Sequence, residues 1–215
     1  MLQPDTLQHK GLRQQLVNEL RARGVATDDV LAAMGRVPRH CFFDSGFLRF
    51  AYSDKAFPIG AGQTISQPST VAFQTSLLRV EPQQRVLEVG TGSGYQTAVL
   101  VELGAQVYTI ERQRELFLRA QTLLGQMRYR AHFAYGDGHK GLPGYAPFQR
   151  IMVTAGATAI PPELLAQLDV GGRMVIPVGP SGQQLMTLVE RLSPTELRTS
   201  THGSFKFVPM LQGRE

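Results

Sequence analysis

Apolar positions in the first part of the chain recur at helical spacing, and after residue 68 they gather into short runs separated by helical stretches. Over residues 6–23, Leu7, Leu12, Leu16, Val17 and Leu20 keep the helical interval and Gly24 closes the segment. A second helix is predicted over residues 28–34, where Thr27 or Asp28 can cap it and Val30, Leu31 and Met34 share a face. Pro38 breaks the pattern within "RVPRHCF", and residues 42–68 follow no period. A connection that long in a compact domain is functional or disordered. Its aromatics (Phe42, Phe43, Phe47, Phe50, Tyr52 and Phe57) predict a packed segment.

From residue 69 the pattern alternates. Helix is predicted over 69–78, strand over "RVLEV" at 85–89, helix over 96–103 and strand over 106–110. Helix follows over 112–124, with Leu116, Ala120, Leu123 and Leu124 on one side, and then strand over 131–135 and 150–154. Prolines open a helix over 161–168, and "GGRMVIPVG" reads as a strand behind a Gly-Gly turn. Strands alternating with helices imply a parallel sheet covered on both faces. The last two strands, 184–191 and 196–210, have no helix between them and predict an antiparallel edge.

Composition narrows this α/β picture only a little. The 215 residues are 42% hydrophobic and 18% charged, ordinary for a globular enzyme with a sizeable core. The net charge of +5 comes from scattered Lys and Arg. The densest group, Arg128 and Arg130 around Tyr129, is too small for a nucleic-acid patch, so no nucleic-acid partner is expected. Cys41 is the one cysteine, which excludes an intrachain disulfide and suits a reducing compartment. "MLQPDTLQHK" has no apolar signal region, and no apolar run reaches the ~20 residues of a membrane-spanning helix. The expectation is a cytoplasmic protein without a membrane partner. The five histidines show no metal-ligand spacing, so no metal is expected.

The candidate chemistry begins at "EVGTGSGY", where Gly90, Gly92 and Gly94 follow the 85–89 strand. A loop there lies at the carboxyl end of a parallel strand, where open α/β sheets bind ligands. The G-x-G-x-G spacing departs from the dinucleotide G-x-G-x-x-G and from the Walker loop, which needs a Lys-Ser/Thr pair absent here. Glu111 ends the next strand about 20 residues on, the usual place for a carboxylate that accepts ribose hydroxyls. The third strand runs into "GDG", which brings Asp137 and Gly138 to the same sheet edge. Together these elements describe a pocket for an adenosine without phosphates.

That combination resembles the class I S-adenosylmethionine-dependent methyltransferases. The further segments "VPRHCF", "PIGAGQTISQPSTVA", "VTAGATAIP" and "FKFVPM" closely resemble the protein-L-isoaspartate O-methyltransferases over nearly the whole chain. The resemblance implies a Rossmann-like α/β class I methyltransferase fold: a mostly parallel, doubly wound sheet with an antiparallel C-terminal edge and N-terminal helices. It implies one domain over residues 1–215, with N-terminal helices and substrate loop (1–67), cofactor core (68–183) and C-terminal groove strands (184–215). The implied activity is repair: methyl transfer from S-adenosylmethionine to the free α-carboxylate of isoaspartyl residues in damaged proteins, giving an ester that closes to succinimide. Glu88, Gly90, Thr91, Gly92, Gly94, Glu111, Asp137 and Gly138 are then expected at the cofactor. Thr64, Ile65, Ser66, Val208 and Pro209 are expected at the substrate, with the Ser66 hydroxyl directed at the acceptor carboxylate. Glu88 admits two readings, an acid near the methionine amino group or a structural carboxylate fixing the loop. Ser66 also fits an N-cap before the Pro68 helix. Two positions depart from the family pattern, Gly156-Ala157 after the fourth strand and His139 after "GDG". Both are expected at the cofactor rim.

Overall fold

In the computed structural model, which describes residues 3–215, the chain opens with helices α1 (Leu7–Ala22) and α2 (Asp28–Arg36). A hairpin of β1 (Phe57–Gly60) and β2 (Gln63–Ile65) follows, then α3 (Pro68–Leu78). The regular alternation is β3 (Arg85–Val89), α4 (Tyr95–Glu102), β4 (Gln106–Glu111), α5 (Arg114–Gln126), β5 (His132–Tyr135) and β6 (Phe148–Val153). It ends in α6 (Pro162–Gln167), β7 (Leu168–Val178), β8 (Gln184–Arg191) and β9 (Leu197–Phe205). Seven strands form one sheet in the order β5-β4-β3-β6-β7-β8-β9. Pairing is parallel from β5 through β7 and antiparallel from β7 to β9. This is the class I methyltransferase fold.

The sequence runs outward from β3 to β5 and then returns to β6 on the other side of β3. Strand order therefore reverses at β3/β6, and the crevice beyond their carboxyl ends is where such sheets take ligands. The central strands are buried on both faces, which is why "RVLEV", "RIMV" and "RMVIPV" read as nearly continuous apolar runs. Leu16, Val17, Leu20, Val30, Leu31 and Met34 join Tyr95, Ala98, Val99 and Leu124 in one core, so the N-terminal helices are packed onto the sheet's helical layer. Among the described residues no helix is long and apolar enough to cross a membrane.

Four expectations change. The apolar face of α1 is narrower than its spacing suggests: Leu7 and Leu12 are 86% and 41% exposed. The polar Arg13 is buried instead, forming a bidentate pair with Asp5 (3.0 and 2.9 Å) and donating to the Tyr52 hydroxyl and the Gly35 carbonyl. The aperiodic 42–68 stretch contains a hairpin, hidden because its strands are only four and three residues long. Its turn has positive φ at Gly60, Ala61 and Gly62, and Phe57 is stacked on Phe50 with Phe43 alongside. The Gly171-Gly172 pair lies inside β7, not before it; the register with β6 shifts there, between Phe148 and Arg150. Finally, β9 ends at Phe205, and the chain beyond it leaves the sheet edge to bridge Gly156 through Pro209.

The fold also assembles Asp5, His9 and His40, whose ligating atoms lie within 4.8 Å of one another, a grouping no sequence spacing announced. The two imidazoles are stacked at 3.8 Å, and His40 Nδ1 lies 2.8 Å from the Tyr52 hydroxyl. Burial, with His9 adding to it, lowers the pKa of His40 below its usual 6.5. The native state therefore disfavours the imidazolium that the unfolded chain accepts. Stability is unaffected above pH 6.5 and falls as pH drops below it. A melting-temperature series from pH 7.5 to 5.5 should show a decline that His40→Gln reduces, and parallel curves for the two proteins would refute the assignment.

Candidate active site

The glycine loop is shaped by positions that a side chain could not occupy. Gly90, Gly92 and Gly94 all have positive φ (97°, 53° and 87°). A Cβ on Gly90 would collide with the Thr154 hydroxyl, and one on Gly94 would meet Leu124 Cδ1 at 2.8 Å. Gly94 is the N-cap of α4, so the helix starts directly from the loop. The loop is also tied from the neighbouring strands. Gly90 N donates to the Ile110 carbonyl (2.9 Å), and Thr154 Oγ1 donates to the carbonyls of Gly90 (2.7 Å) and Val89 (3.0 Å).

Glu111 closes this arrangement at the end of β4. Its Oε2 accepts from Gly92 N at 2.8 Å, and its Oε1 accepts from Arg112 N (2.8 Å) and Gln113 N (2.9 Å). A carboxylate offers about four acceptor sites. Three are filled by backbone, which leaves one on Oε2, beside a cavity that Glu111 lines. The cavity is also lined by Gly90, Thr91, Gly92, Gly138 and Ile110.

Three of the expected cofactor residues are off the cavity wall, and one of them is Gly94, which caps α4 behind the loop. Glu88 is fully buried in β3 beneath the loop and is absent from the cavity wall. Its Oε2 accepts from Thr97 Oγ1 at 2.5 Å, while Oε1 has no partner among the described residues. This favours the structural reading of Glu88. Burial pushes its pKa up to about 8, against the opposing hydrogen bonds of Thr97 and Thr109. Asp137 is also off the wall: its Oδ1 accepts from His139 N (2.9 Å) and its Oδ2 from Gly213 N (2.8 Å). These backbone donors and the His139 ring outweigh burial and keep Asp137 below the usual carboxylate range.

At the other end of the same cavity stand Thr64, Ile65, Ser66, Val208 and Pro209. The hairpin delivers the first three, since β2 leads straight into Ser66. A second, wider cavity shares Thr64, Ser66, Thr154 and Val208 with the first and opens toward Lys206 and Phe207. Ser66 is half-buried and its hydroxyl has no partner among the described residues, so it does not serve as the helix cap. The N-cap of α3 is Gln67, and the helix's free Ser69 N–H is taken by Asp54 Oδ1 at 2.8 Å. The Ser66 carbonyl accepts from Arg39 Nη2 at 2.8 Å. No local spacing singled out Arg39, Asp54, Gln74 or Gln96, because each acts through a contact distant along the chain: Gln74 Nε2 donates to the Val153 carbonyl and Gln96 Nε2 to Thr75 Oγ1. The departures also resolve differently from expectation. Gly156 pairs with the C-terminal segment, donating to Val208 O and accepting from Met210 N at 2.8 Å each, and His139 is bound to Asp137.

The family model described as protein-L-isoaspartate(D-aspartate) O-methyltransferase matches residues 11–215 of this chain. A protein-L-isoaspartate O-methyltransferase of Flavobacterium psychrophilum is 55% identical over 211 residues, covering 98% of this chain and 99% of the relative. One from Salinibacter ruber is 47% identical over 221 residues, covering 98% and 96%. Among solved structures, a protein-L-isoaspartate O-methyltransferase is similar with a TM-score of 0.83 at 28% identity, covering 92% of this chain; the chain spans 65% of that longer protein. A putative Plasmodium falciparum homologue, in complex with S-adenosyl-L-homocysteine, has a TM-score of 0.82 at 22% identity over 93% of this chain and 98% of its own, a likeness of fold.

The buried Glu88 carboxyl generates a pH prediction. With a folded pKa of about 8 against an ordinary 4.5, it keeps its proton at pH 7 while the unfolded chain releases it. Its contribution to stability is full below pH 4.5 and is lost as pH rises toward 8, by up to ~1.4 kcal/mol per pH unit. Glu88→Gln, neutral at every pH, should therefore gain stability over the parent as pH is raised from 5 to 8 in denaturant titrations. A constant difference across that range would show that the buried carboxyl is ionised.

Proposed function

The chain belongs to the protein-L-isoaspartate(D-aspartate) O-methyltransferase family, and from that membership we propose how its joined cavities carry out the reaction. It is a protein-repair enzyme that methylates the free α-carboxylate of isoaspartyl residues, with S-adenosylmethionine as methyl donor. The observation that carries this assignment of roles is the continuity of the glycine-loop cavity with the Ser66 and Val208 groove.

The residues present fit the donor. The positive-φ glycines Gly90 and Gly92 leave the loop backbone itself open to the cavity, and Glu111 retains one acceptor site for a ribose hydroxyl. Gly90, Thr91, Gly92 and Gly138 would hold the remainder, with Gly94 setting the helix behind them. Glu88 and Asp137 act from behind the wall in this reading, one supporting the loop and the other anchoring the C-terminal segment. When bound, S-adenosylmethionine supplies a methyl group already activated on sulfonium.

The acceptor needs little chemical activation, because a carboxylate (reference pKa ~4) is already ionised at neutral pH. The protein's work is alignment and partial removal of water, which is proximity and orientation. The unpartnered Ser66 hydroxyl orients the carboxylate as a neutral donor and so does not quench it with charge. Thr64 and Ile65 shape the same end, and Val208 and Pro209 border the groove that takes the flanking peptide. Damaged proteins bearing isoaspartyl residues are the partners; nucleic acid and membrane are not part of the proposal. A single domain in a cytoplasmic setting accompanies it, supported by one cysteine in the whole chain.

Glu111→Gln should weaken S-adenosylhomocysteine binding by roughly 1–3 kcal/mol. The amide also sets a donor against one of the backbone N–H groups that Glu111 now accepts. Calorimetric titration checks this, and unchanged affinity would remove Glu111 from the site. Selectivity tests the whole assignment. An isoaspartyl linkage gains a backbone methylene and presents its α-carboxylate close to the main chain. A misplacement of about 1 Å can cost on the order of 10²-fold in rate, so a normal aspartyl peptide should react at least that much more slowly. Similar rates on two peptides differing only in this linkage would refute the repair function.

A further inference from the structure

Behind the acceptor end of the cavity lies a buried cation with no carboxylate in contact with it among the described residues. Arg39 stands in the 3-10 turn Arg39–Phe42 after α2 and is 1% exposed. Its Nε donates to the Ala51 carbonyl at 3.0 Å and its Nη2 to the Ser66 carbonyl at 2.8 Å. Nη1 has no partner among the described residues. The guanidinium carbon lies 4.5 Å from the centre of the Tyr95 ring and 5.4 Å from that of Phe43. Asp54, the acid of this region, is already engaged by Arg23 at 2.7 Å and by Ser69 N at 2.8 Å.

Carbonyl oxygens, ring faces and the Tyr95 hydroxyl offer Arg39 partial negative charge, and the Asp54 charge reaches it only from beyond contact. Burying an ion on those terms carries a large desolvation penalty even after relaxation. Burial lowers the pKa of Arg39, yet guanidinium stays protonated in proteins. Holding two carbonyls does not require that expense, since a neutral amide donor can do it. The full charge therefore calls for a use.

The geometry points to Arg39 as a positioning residue for methyl transfer: it clamps the Ser66 peptide and gives the acceptor end a positive potential that the incoming isoaspartyl carboxylate completes. This rests on the reading of Ser66 given above. The guanidinium works through the Ser66 peptide and does not touch the acceptor, so it attracts the anion without hydrogen-bonding to the nucleophilic oxygen. Transfer neutralises the carboxylate as an ester, which removes the attraction and loosens the product. Arg39 should thus govern substrate affinity and product release, and leave the donor end unaffected.

The test uses the full chain as wild type, Arg39→Gln, Arg39→Lys and Ser66→Ala. Each is measured with an isoaspartyl peptide and with its isoasparaginyl counterpart, in which a neutral amide replaces the α-carboxylate. Competition binding in the presence of S-adenosylhomocysteine should show the wild type preferring the carboxylate peptide by about tenfold or more. Arg39→Gln should lose most of that preference and raise KM, with S-adenosylhomocysteine affinity held within about threefold. Arg39→Lys should recover part of the preference, and Ser66→Ala should lower kcat while keeping it. An Arg39→Gln protein that folds and keeps the wild-type preference overturns the proposal, and so does equal loss of peptide and S-adenosylhomocysteine affinity. Absence of any preference in the wild type overturns it too, without requiring a variant to fold. A wild type that preferred the carboxylate peptide but methylated neither would defeat the functional reading instead.

Discussion

Three backbone N–H groups converge on the Glu111 carboxylate, and the geometry of the cavity depends on that convergence. One comes from the glycine loop after β3, and two come from the turn after β4. Without the carboxylate, the Gly92 N–H would be left seeking an acceptor in a half-buried wall. With a glycine at every second position, Gly90 to Gly94 would be conformationally free if left untied. Glu111 removes much of that freedom, and Thr154 removes more by holding the carbonyls of Val89 and Gly90. The start of α4 is fixed in consequence, since Gly94 is both the end of the loop and the cap of the helix.

The opposite end of the cavity is held by another set of forces. There the hairpin is short, and its position comes from side chains that reach across the fold. Ile59 and Ile65 are buried among the N-terminal helices, and Phe57 sits in a cluster of aromatic rings. Arg39 and Asp54 hold the backbone on either side of Gln67, one through the Ser66 carbonyl and the other through the Ser69 N–H. The C-terminal segment forms the third side. Gly213 is tied to Asp137, and Glu215 pairs by backbone and side chain with Arg112, Gln113 and Arg114. The turn that follows Glu111 is therefore braced by the same segment that borders the groove, which joins the two ends mechanically.

This division explains which features were legible in the sequence. The β3 to β8 alternation was readable because buried parallel strands and their covering helices impose local periods, and because Gly90, Gly92 and Gly94 mark a backbone that only glycine adopts easily. The α1 stripe misled because Leu7 and Leu12 share a spacing with Leu16 and Leu20 but extend past the surface they cover. Arg13 is buried on that helix for a reason absent from its local pattern: its partners Asp5, Gly35 and Tyr52 come from other parts of the chain. Arg39 escaped notice in the same way. Glu88 was legible as a carboxylate near the loop, but its direction, downward to Thr97, follows from strand alternation only once the loop's own position is known. Family resemblance supplied Ser66, whose residue type alone fits a helix cap equally well.

The departure at Gly156 shows how such distant contacts bear on the groove. A Cβ at this position would come within 2.8 Å of the Gln184 side chain, so the two residues occupy space that neither could share with a larger neighbour. Gln184 is buried, its Oε1 accepts from Phe207 N at 2.9 Å, and its Nε2 donates to the Pro180 carbonyl at 3.0 Å. Gly156 in turn pairs with Val208 and Met210. Phe207, Val208 and Met210 are thus placed by Gln184 and by the residue-156 backbone, and the first of these contacts leaves no room for a Cβ at residue 156. The absence of a side chain there sets the line along which the C-terminal segment passes the Ser66 end of the cavity. Its effect falls on the end of the cavity that Ser66, Val208 and Pro209 line.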